Sequence, residues 1–309
     1  MRFWVGVTDP HWFGFLKEHP FDEVNSWQPN ARPPFTNIPA GMLFLFKLKR
    51  PHHHIAGGGF LIGYLHLPLS LAWEIFGKKN GAPTHDELED RICPLNRTSQ
   101  RDPEIGCTLL AMPFFWNPDD WLENPPGWDS SIMRGKMYDR DEPDGRRIFD
   151  HLQGRIPAPS TTPDPAAMTE TMVQDRYGHP YWSRPRLGQS SFRALVTEGY
   201  KRRCAMTGEK TLVTLEAAHI VPYGRNEDSH DVPNGLLLGA DFHRLFDAGL
   251  ISITPNLRIK VSSRIRETWF NGQVYYRLDG QPLSVIPDDK NLRPDPDRLQ
   301  WHDSNCFQA

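Results

Sequence analysis

Short apolar runs alternate with turn signals over the first half of the chain. RFWVGV (2–7), MLFLFKLK (42–49) and FLIGYLHL (60–67) are rich in β-branched or aromatic residues and predict strands. HWFGFLKE (11–18), LSLAWEIFG (69–77) and THDELEDRI (84–92) predict short helices. Thr84 with Glu87 three residues on has the capping-box pattern. Residues 116–150 are rich in Pro, Asp and Trp, lack clear periodicity and predict loops. A seam follows at GRIPAPSTTPDPAAMTE (154–170), whose composition buries too little apolar surface to fold and predicts a linker or surface arm. Beyond it, SSFRALVTEGYKRR (190–203) places Phe192, Leu195, Val196 and Tyr200 on one face of an amphipathic helix. CAMTGEKTLVTLEAAHIVPY (204–223) predicts two short strands around a turn at Gly208–Lys210. PNGLLLGADFHRLFDAG (233–249) predicts a helix stopped by Gly249, and LISITPNLRIKVS (250–262) a hairpin turning at Pro255–Asn256. The expected class is α+β, with domains at 1–153 and 176–309 joined by a linker at 154–175.

Length supports this division, since 309 residues exceed what one small core usually needs. At 38% hydrophobic and 24% charged, the chain reads as soluble and globular. The run FLIGYLHLPLSLAW (60–73) is broken by Gly63, His66 and Pro68, so no membrane span is expected. MRFWVGVTDPHWF lacks the charged and apolar regions of a signal peptide, and a cytoplasmic location follows by default. Cys93, Cys107, Cys204 and Cys306 are far apart and form no CxxC pair, which favours reduced thiols over a zinc knuckle or a disulfide framework. The net charge of −3 gives no general support for nucleic-acid binding, so such a role needs locally concentrated cations. One concentration exists: Arg184, Arg186, Arg193, Lys201, Arg202 and Arg203 stand against a single Glu198.

The stretch EAAHIVPYGRNEDSHDVPNGLLLGADFHRLFDAGLISI (216–253) carries candidate chemistry. Phosphodiester hydrolysis needs a base for water, a cation at the phosphoryl group, help for the leaving oxygen and orientation of the base. His219 at a strand end suits the base. Asn234, at the junction of loop and helix, suits fixing the loop backbone or the imidazole. His243 and Asp247 are four residues apart, so they share a helix face and make a half-shell for a divalent cation. Arg244, Arg225 and Arg203 are candidate phosphate contacts.

These residues, with AAHIVPY, NGLLLGADFHRLFDAGLI and the flanks RLGQSSFRALVTEGYKRRCAMTGE and LQWH (299–302), resemble the HNH (ββα-metal) nucleases, and especially the branch found in modification-dependent restriction endonucleases. The resemblance covers about residues 185–305. It implies that His219 is the general base, Asn234 a positioning residue and His243 a metal ligand, with Asp247 as a further ligand. It also implies a Mg²⁺ or Mn²⁺ cofactor and double-stranded DNA as substrate. One position departs from the family pattern. The residue before the base is often a metal-binding Asp or His, and here it is Ala218. Glu216, two residues earlier on the same side of the strand, is the candidate substitute.

The first half resembles the PUA superfamily, in its EVE or YTH-like branch, through FWVGVTDPHWF, EVNSWQP, FLFKLK and GGGF. The resemblance implies a β-barrel-type domain with flanking helices that binds a modified base in an aromatic cage. Trp27 and Asn25, expected in a loop, and Trp12 and Tyr64 are the candidate pocket residues. HHHIAGGG (52–59) combines imidazoles with a backbone that can approach a ligand closely. The whole reads as a modification-dependent DNA endonuclease that targets modified cytosine. With one nuclease site per chain, duplex cleavage calls for a homodimer or two successive binding events. Two other readings stay open: a nucleic-acid reader with a degenerate nuclease site, and a modification-independent nuclease or toxin.

Overall fold

The computed structural model describes the chain except for residues 31, 32, 34, 36, 37, 97–100, 153, 157–172, 175–179, 182–187 and 223–230. Most of the expected linker lies outside the described residues, as does Arg225. The chain divides into two compact units, Met1–Gly188 and Gln189–Ala309.

The first unit is built on one mixed sheet. Its strands are β1 (Arg2–Thr8), β2 (Glu23–Gln28), β3 (Leu43–Leu48), β4 (Ile55–Pro68), β5 (Glu104–Phe115) and β6 (Gly135–Asp139), in the order β2-β5-β4-β3-β1-β6. β1 and β3 pair in parallel and the other neighbours are antiparallel. Alternation along β1 sends Phe3 and Val5 to one face and Trp4 to the other. Helix α1 (Pro10–Lys17) covers the Trp4 face with Trp12, Phe13 and Leu16, against Phe44, Phe46 and Leu61. Helix α4 (Pro143–Leu152) covers the Phe3 face with Ile148 and Leu152, against Leu43, Leu45 and Tyr138. Helices α2 (Leu69–Phe76) and α3 (His85–Ile92) fill the long connection from β4 to β5. Thr84 caps α3 by accepting from the Glu87 N–H. Among the described residues the sheet runs open from β2 to β6, and no pairing closes it into a barrel. No helix among them is long and apolar enough to cross a membrane, and no disulfide joins the four cysteines.

Three sequence expectations change here. Residues 116–150, expected as loops, contain β6 and the start of α4. EVNSWQ, also expected in a loop, is edge strand β2. The GGG of HHHIAGGG lets neighbouring strands close up rather than admitting a ligand. A Cβ on Gly57 would stand 2.2 Å from the Phe114 carbonyl oxygen, and one on Gly58 would stand 2.7 Å from that of Phe44.

A tiny antiparallel pair, β7 (Val173–Gln174) and β8 (Pro180–Tyr181), precedes the second unit. That unit comprises α5 (Gln189–Gly199), β9 (Leu215–His219), β10 (Gly235–Gly239), α6 (Ala240–Asp247), the hairpin β11 (Ile251–Ile253) and β12 (Ile259–Val261), α7 (Arg264–Trp269), α8 (Gln273–Tyr276) and α9 (Pro296–Asn305). The sequence predicted a helix from Pro233, yet residues 235–239 pair antiparallel with β9, from Gly235 opposite His219 to Gly239 opposite Leu215. Leu236, Leu237 and Leu238 are all buried. Three successive apolar residues have no helical period and suit a strand covered on both sides. The helix begins only at Ala240. The first strand expected in 204–223 is a turn, in which the Cys204 N–H bonds the Glu209 carbonyl at 2.8 Å and the Gly208 N–H bonds that of Cys204 at 2.8 Å.

Buried Asn80 joins α2 to β2. Its Nδ2 donates to the Ala72 and Gly77 carbonyls at 3.0 and 2.9 Å, and its Oδ1 accepts from Asn25 Nδ2 at 2.9 Å. Its backbone carbonyl accepts from Trp27 Nε1 at 3.0 Å. Asn80→Ala would remove three side-chain hydrogen bonds, two of them buried. The expected loss is about 2–4 kcal/mol of first-unit stability, read by urea unfolding followed through tryptophan fluorescence. A loss within about 0.5 kcal/mol would refute this account.

Candidate active site

The ββα unit of β9, β10 and α6 brings His219, His243 and Asp247 to one cavity of about 300 Å³. Ile220, Pro222, His302 and Cys306 complete its lining. His219 ends β9 and stacks on Phe192 of α5, with ring centroids 4.2 Å apart and planes 7° apart. Gly235 makes that packing possible. A Cβ there would stand 2.4 Å from Val196 Cγ2 and 3.0 Å from Phe192 Cζ. Stacking fixes the imidazole plane and leaves its edge toward the cavity.

Asn234 is 1% exposed and sits just before β10. Its Oδ1 accepts from the Val221 N–H and its Nδ2 donates to the Val221 carbonyl, both at 2.9 Å. Its own backbone carbonyl accepts from the Ile220 N–H at 2.8 Å. These bonds therefore hold the backbone one and two residues beyond His219.

His243 lies between two carboxylates. Nδ1 is 2.7 Å from Glu216 Oε2, and Nε2 is 3.4 Å from Asp247 Oδ2. A carboxylate only accepts, so Nδ1–H donates to Glu216, and Nε2 is the ring nitrogen turned to Asp247. An oxygen and a nitrogen 3.4 Å apart match adjacent corners of an octahedral shell, where ligands at about 2.1 Å from an ion lie roughly 3 Å from each other. One imidazole with carboxylates suits Mg²⁺ or Mn²⁺. The donor set thus fits the expected ion at Nε2 and Asp247. Glu216 stands at the opposite ring nitrogen and does not converge with them. Among the described residues, the His/Asp/Glu trio whose ligand atoms do converge, within 4.8 Å, is His85, Asp86 and Glu89. Those residues open α3, far in sequence from this cavity, and exposed acids at a helix start are ordinary. Ala218 is fully buried opposite Leu236, so its position faces the core.

His302 of α9 was quoted in the sequence only as part of a flank. It is 3% exposed, and its ring stacks on Phe246 at 3.7 Å. Nε2 donates to the Phe246 carbonyl at 3.2 Å, and Nδ1 accepts from Ser252 Oγ at 2.9 Å. This neutral imidazole ties the end of α6, one residue before Asp247, to β11.

The candidate phosphate contacts differ in freedom. Arg244 is exposed beside His243. Arg203 is half-buried, with Nε bonding the Gly208 carbonyl at 3.3 Å. In the first unit, Trp12 and Asn25 are core residues, 3% and 0% exposed, and Trp12 Nε1 bonds the Asn25 carbonyl at 3.0 Å. Trp27 is partly exposed and pinned by its bond to Asn80. Tyr64 is half-buried, and among the described residues its hydroxyl has no hydrogen-bond partner; the same holds for the buried hydroxyl of Thr108, its cross-strand neighbour. Burial raises the Tyr64 phenol well above its usual range. The sequence reading also missed Lys47, which is 3% exposed. Its Nζ lies 3.4 Å from His53 Nδ1 and 4.7 Å from the Trp128 ring centre, and burial lowers its pKa.

Comparison with known proteins sets the class. Residues 204–254 match the family model described as HNH endonuclease. The second unit therefore carries an HNH endonuclease domain, and the chain is a nuclease that hydrolyses DNA. No curated protein matches the chain. Among solved structures, ASCH from Zymomonas mobilis is similar at 9% identity over 47% of this chain and 94% of its own, with a TM-score of 0.33. A tyrosine-to-phenylalanine mutant of that protein gives 10% identity over 47% and 96%, also with a TM-score of 0.33. The modification-dependent TagI restriction endonuclease is similar at 13% identity over 98% of this chain and 81% of its own, with a TM-score of 0.27.

Burial pushes the His302 imidazole down to about 4, from an ordinary value of 6.5. Between these values the unfolded chain binds a proton that the folded chain refuses. Stability from this group is full above pH 6.5, falls as pH drops through the window, and is lower by about 3 kcal/mol below pH 4. Urea unfolding at pH 7 and pH 4.5 should show the fall in the wild type and a flatter profile in His302→Gln. Equal pH dependence in both proteins would refute the assignment.

Proposed function

We propose that the chain is a modification-dependent DNA endonuclease. Residues 1–153 read a modified base, taken to be a modified cytosine, residues 154–175 link, and residues 176–309 cut. The observation that carries the catalytic half is the shared cavity: His219, the base candidate, and the His243–Asp247 pair face one space. His219 takes a proton from the attacking water, its ring held by Phe192. Asn234 positions His219 by holding the backbone beyond it. His243 Nε2 and Asp247 hold a Mg²⁺ or Mn²⁺ ion, which when bound supplies charge neutralisation at the phosphoryl group and the leaving 3′ oxygen. Glu216 orients His243 by accepting its Nδ1–H, as carboxylates behind metal-bound imidazoles do. Arg244, with Arg203 and Arg225, contacts phosphate. The reader role of the first unit is supported by the unpartnered hydroxyls of Tyr64 and Thr108, which suit a polar ligand, and by the partly exposed Trp27. A DNA substrate accords with work in the cytoplasm, and one cavity per chain with a homodimer or two visits to each duplex.

The test pairs one duplex with its 5-methyl- and 5-hydroxymethylcytosine forms, with Mg²⁺, with Mn²⁺ and with EDTA. A modified form should be cut, and only with metal. Equal cutting of every form would leave a modification-independent nuclease. His219→Ala should cut about a thousandfold more slowly while still binding DNA; unchanged cutting would remove His219 from the base role. Glu216→Gln should weaken Mn²⁺ binding by about tenfold or more in calorimetry without DNA, and unaltered affinity would refute its orienting role. Tyr64→Phe should keep the fold and reduce the preference for modified DNA.

A further inference from the structure

The corner between α7 and α8 exposes what most folds hide. Trp269 is 58% exposed and Phe270 88%. Phe270 also has φ +54°, a left-handed conformation that costs a bulky L-residue about 1–2 kcal/mol. Its N–H closes the end of α7 on the Arg266 carbonyl at 2.8 Å. Glycine would make this turn without strain and without an exposed ring. Backbone strain of this kind persists only where the surroundings impose it, and here they do. Gly272 has φ +111°, and a Cβ there would stand 2.7 Å from Ile265 Cγ2 and 3.0 Å from Tyr276 Cε2. The Tyr276 hydroxyl donates to the Ser262 carbonyl at 2.9 Å and accepts from the Arg266 N–H at 3.0 Å. The ring of Phe270 therefore stands exposed on a closely packed turn.

Beside the ring runs an open groove of about 460 Å³, lined by Arg266, Phe270, Asn271, Gln273, Tyr276 and Arg277. The Arg266 guanidinium lies over the Tyr276 ring at 4.7 Å. Among the described residues, no carboxylate pairs with Arg266 or Arg277. The nearby acids are engaged elsewhere: Glu267 by Ser263 Oγ at 2.8 Å, Asp279 by the Val261 N–H at 2.9 Å, and Asp241 by the Tyr275 hydroxyl at 3.4 Å. The same Tyr275 sets its edge on Phe242 at 5.4 Å. Phe242 precedes His243, so the corner is braced against the helix that carries the metal-site candidate.

We propose that this corner is a DNA wedge, in which Arg266 and Arg277 take phosphates and the Phe270 ring, backed by Trp269, enters the base stack of the duplex flanking the cut. The proposal rests on the nuclease reading above. Apolar wedges on cationic surfaces unstack base steps in this way, and guanidinia without acids complement phosphate. A docked protein of comparable size would bury an apolar core, whereas this groove offers amide and guanidinium groups around a single ring.

The test uses the full chain in EDTA, so that binding occurs without cutting. The probes are a fluorescein-labelled duplex of mixed sequence, in plain and modified-cytosine forms, and the same duplexes carrying 2-aminopurine. Trp269→Ala/Phe270→Ala should weaken binding about tenfold, within the range of lost base–aromatic stacking, and should abolish the 2-aminopurine rise. Arg266→Gln/Arg277→Gln should lower the slope of log K against log salt by about 2. Phe270→Gly should keep or raise Tm while weakening binding, which a purely structural Phe270 would not do. Unchanged affinity and 2-aminopurine signal in the aromatic double variant would overturn the wedge. So would loss of self-association in ultracentrifugation with DNA binding intact, since the occupant would then be a second copy. If the wild type binds neither duplex, the nuclease reading fails and the wedge with it; wild-type binding with unaffected variants sinks the wedge alone.

Discussion

The second unit depends on one buried amide. Asn234 exchanges two hydrogen bonds with the backbone of Val221, and its own carbonyl takes the Ile220 N–H. β9 and β10 pair although a long interval of sequence separates His219 from Gly235. Loop closure carries an entropic cost that grows with length. Three bonds at the neck offset that cost and fix where His219 stands relative to the start of β10. Inside a core the unmet groups would each cost more than a surface bond could return. A side chain with one donor and one acceptor in a fixed plane is what the Val221 peptide groups need.

The same economy of groups runs through His243. Its two ring nitrogens face different acids from different elements, Glu216 of β9 and Asp247 of its own helix. Helical spacing explains the second contact. The first arises because β9 passes alongside α6. The family pattern places an acid or imidazole immediately before the base. Here that position is Ala218, which is fully buried. The Glu216 carboxylate, exposed on the same strand, reaches the helix histidine instead.

Legibility in the sequence followed the physics of each segment. The helices at 10–17, 69–76 and 85–92 were readable from apolar spacing, and at the last of them a cap agrees, at Thr84. GLLLG misled because a run of three leucines has no period, and only the pairing with β9 decides for a strand. β6 and α4 were missed among Pro, Asp and Trp residues whose periodicity is weak. Spacing singled out His219, Asn234, His243 and Asp247; the structure brings three of them, His219, His243 and Asp247, to one cavity, and their contacts were not legible. Glu216 was taken for a ligand and lies on the other nitrogen. Trp12 and Asn25 were chosen by residue type, and burial is a property of the assembled sheet that type alone does not carry. Lys47 gave no signal, since a lysine within a strand reads as a solvated one.

Helix α9 and the residue that follows it supply His302 and Cys306 to the cavity that His219 and His243 begin. A chain ending at Asp295 would contain every residue of the HNH pattern and still lack one wall of the space where water and phosphate must meet. During synthesis from the amino end, that wall emerges only after the whole motif has. The motif is complete in sequence well before the cavity is complete in space, so chain elongation itself sets the moment at which a closed site first exists.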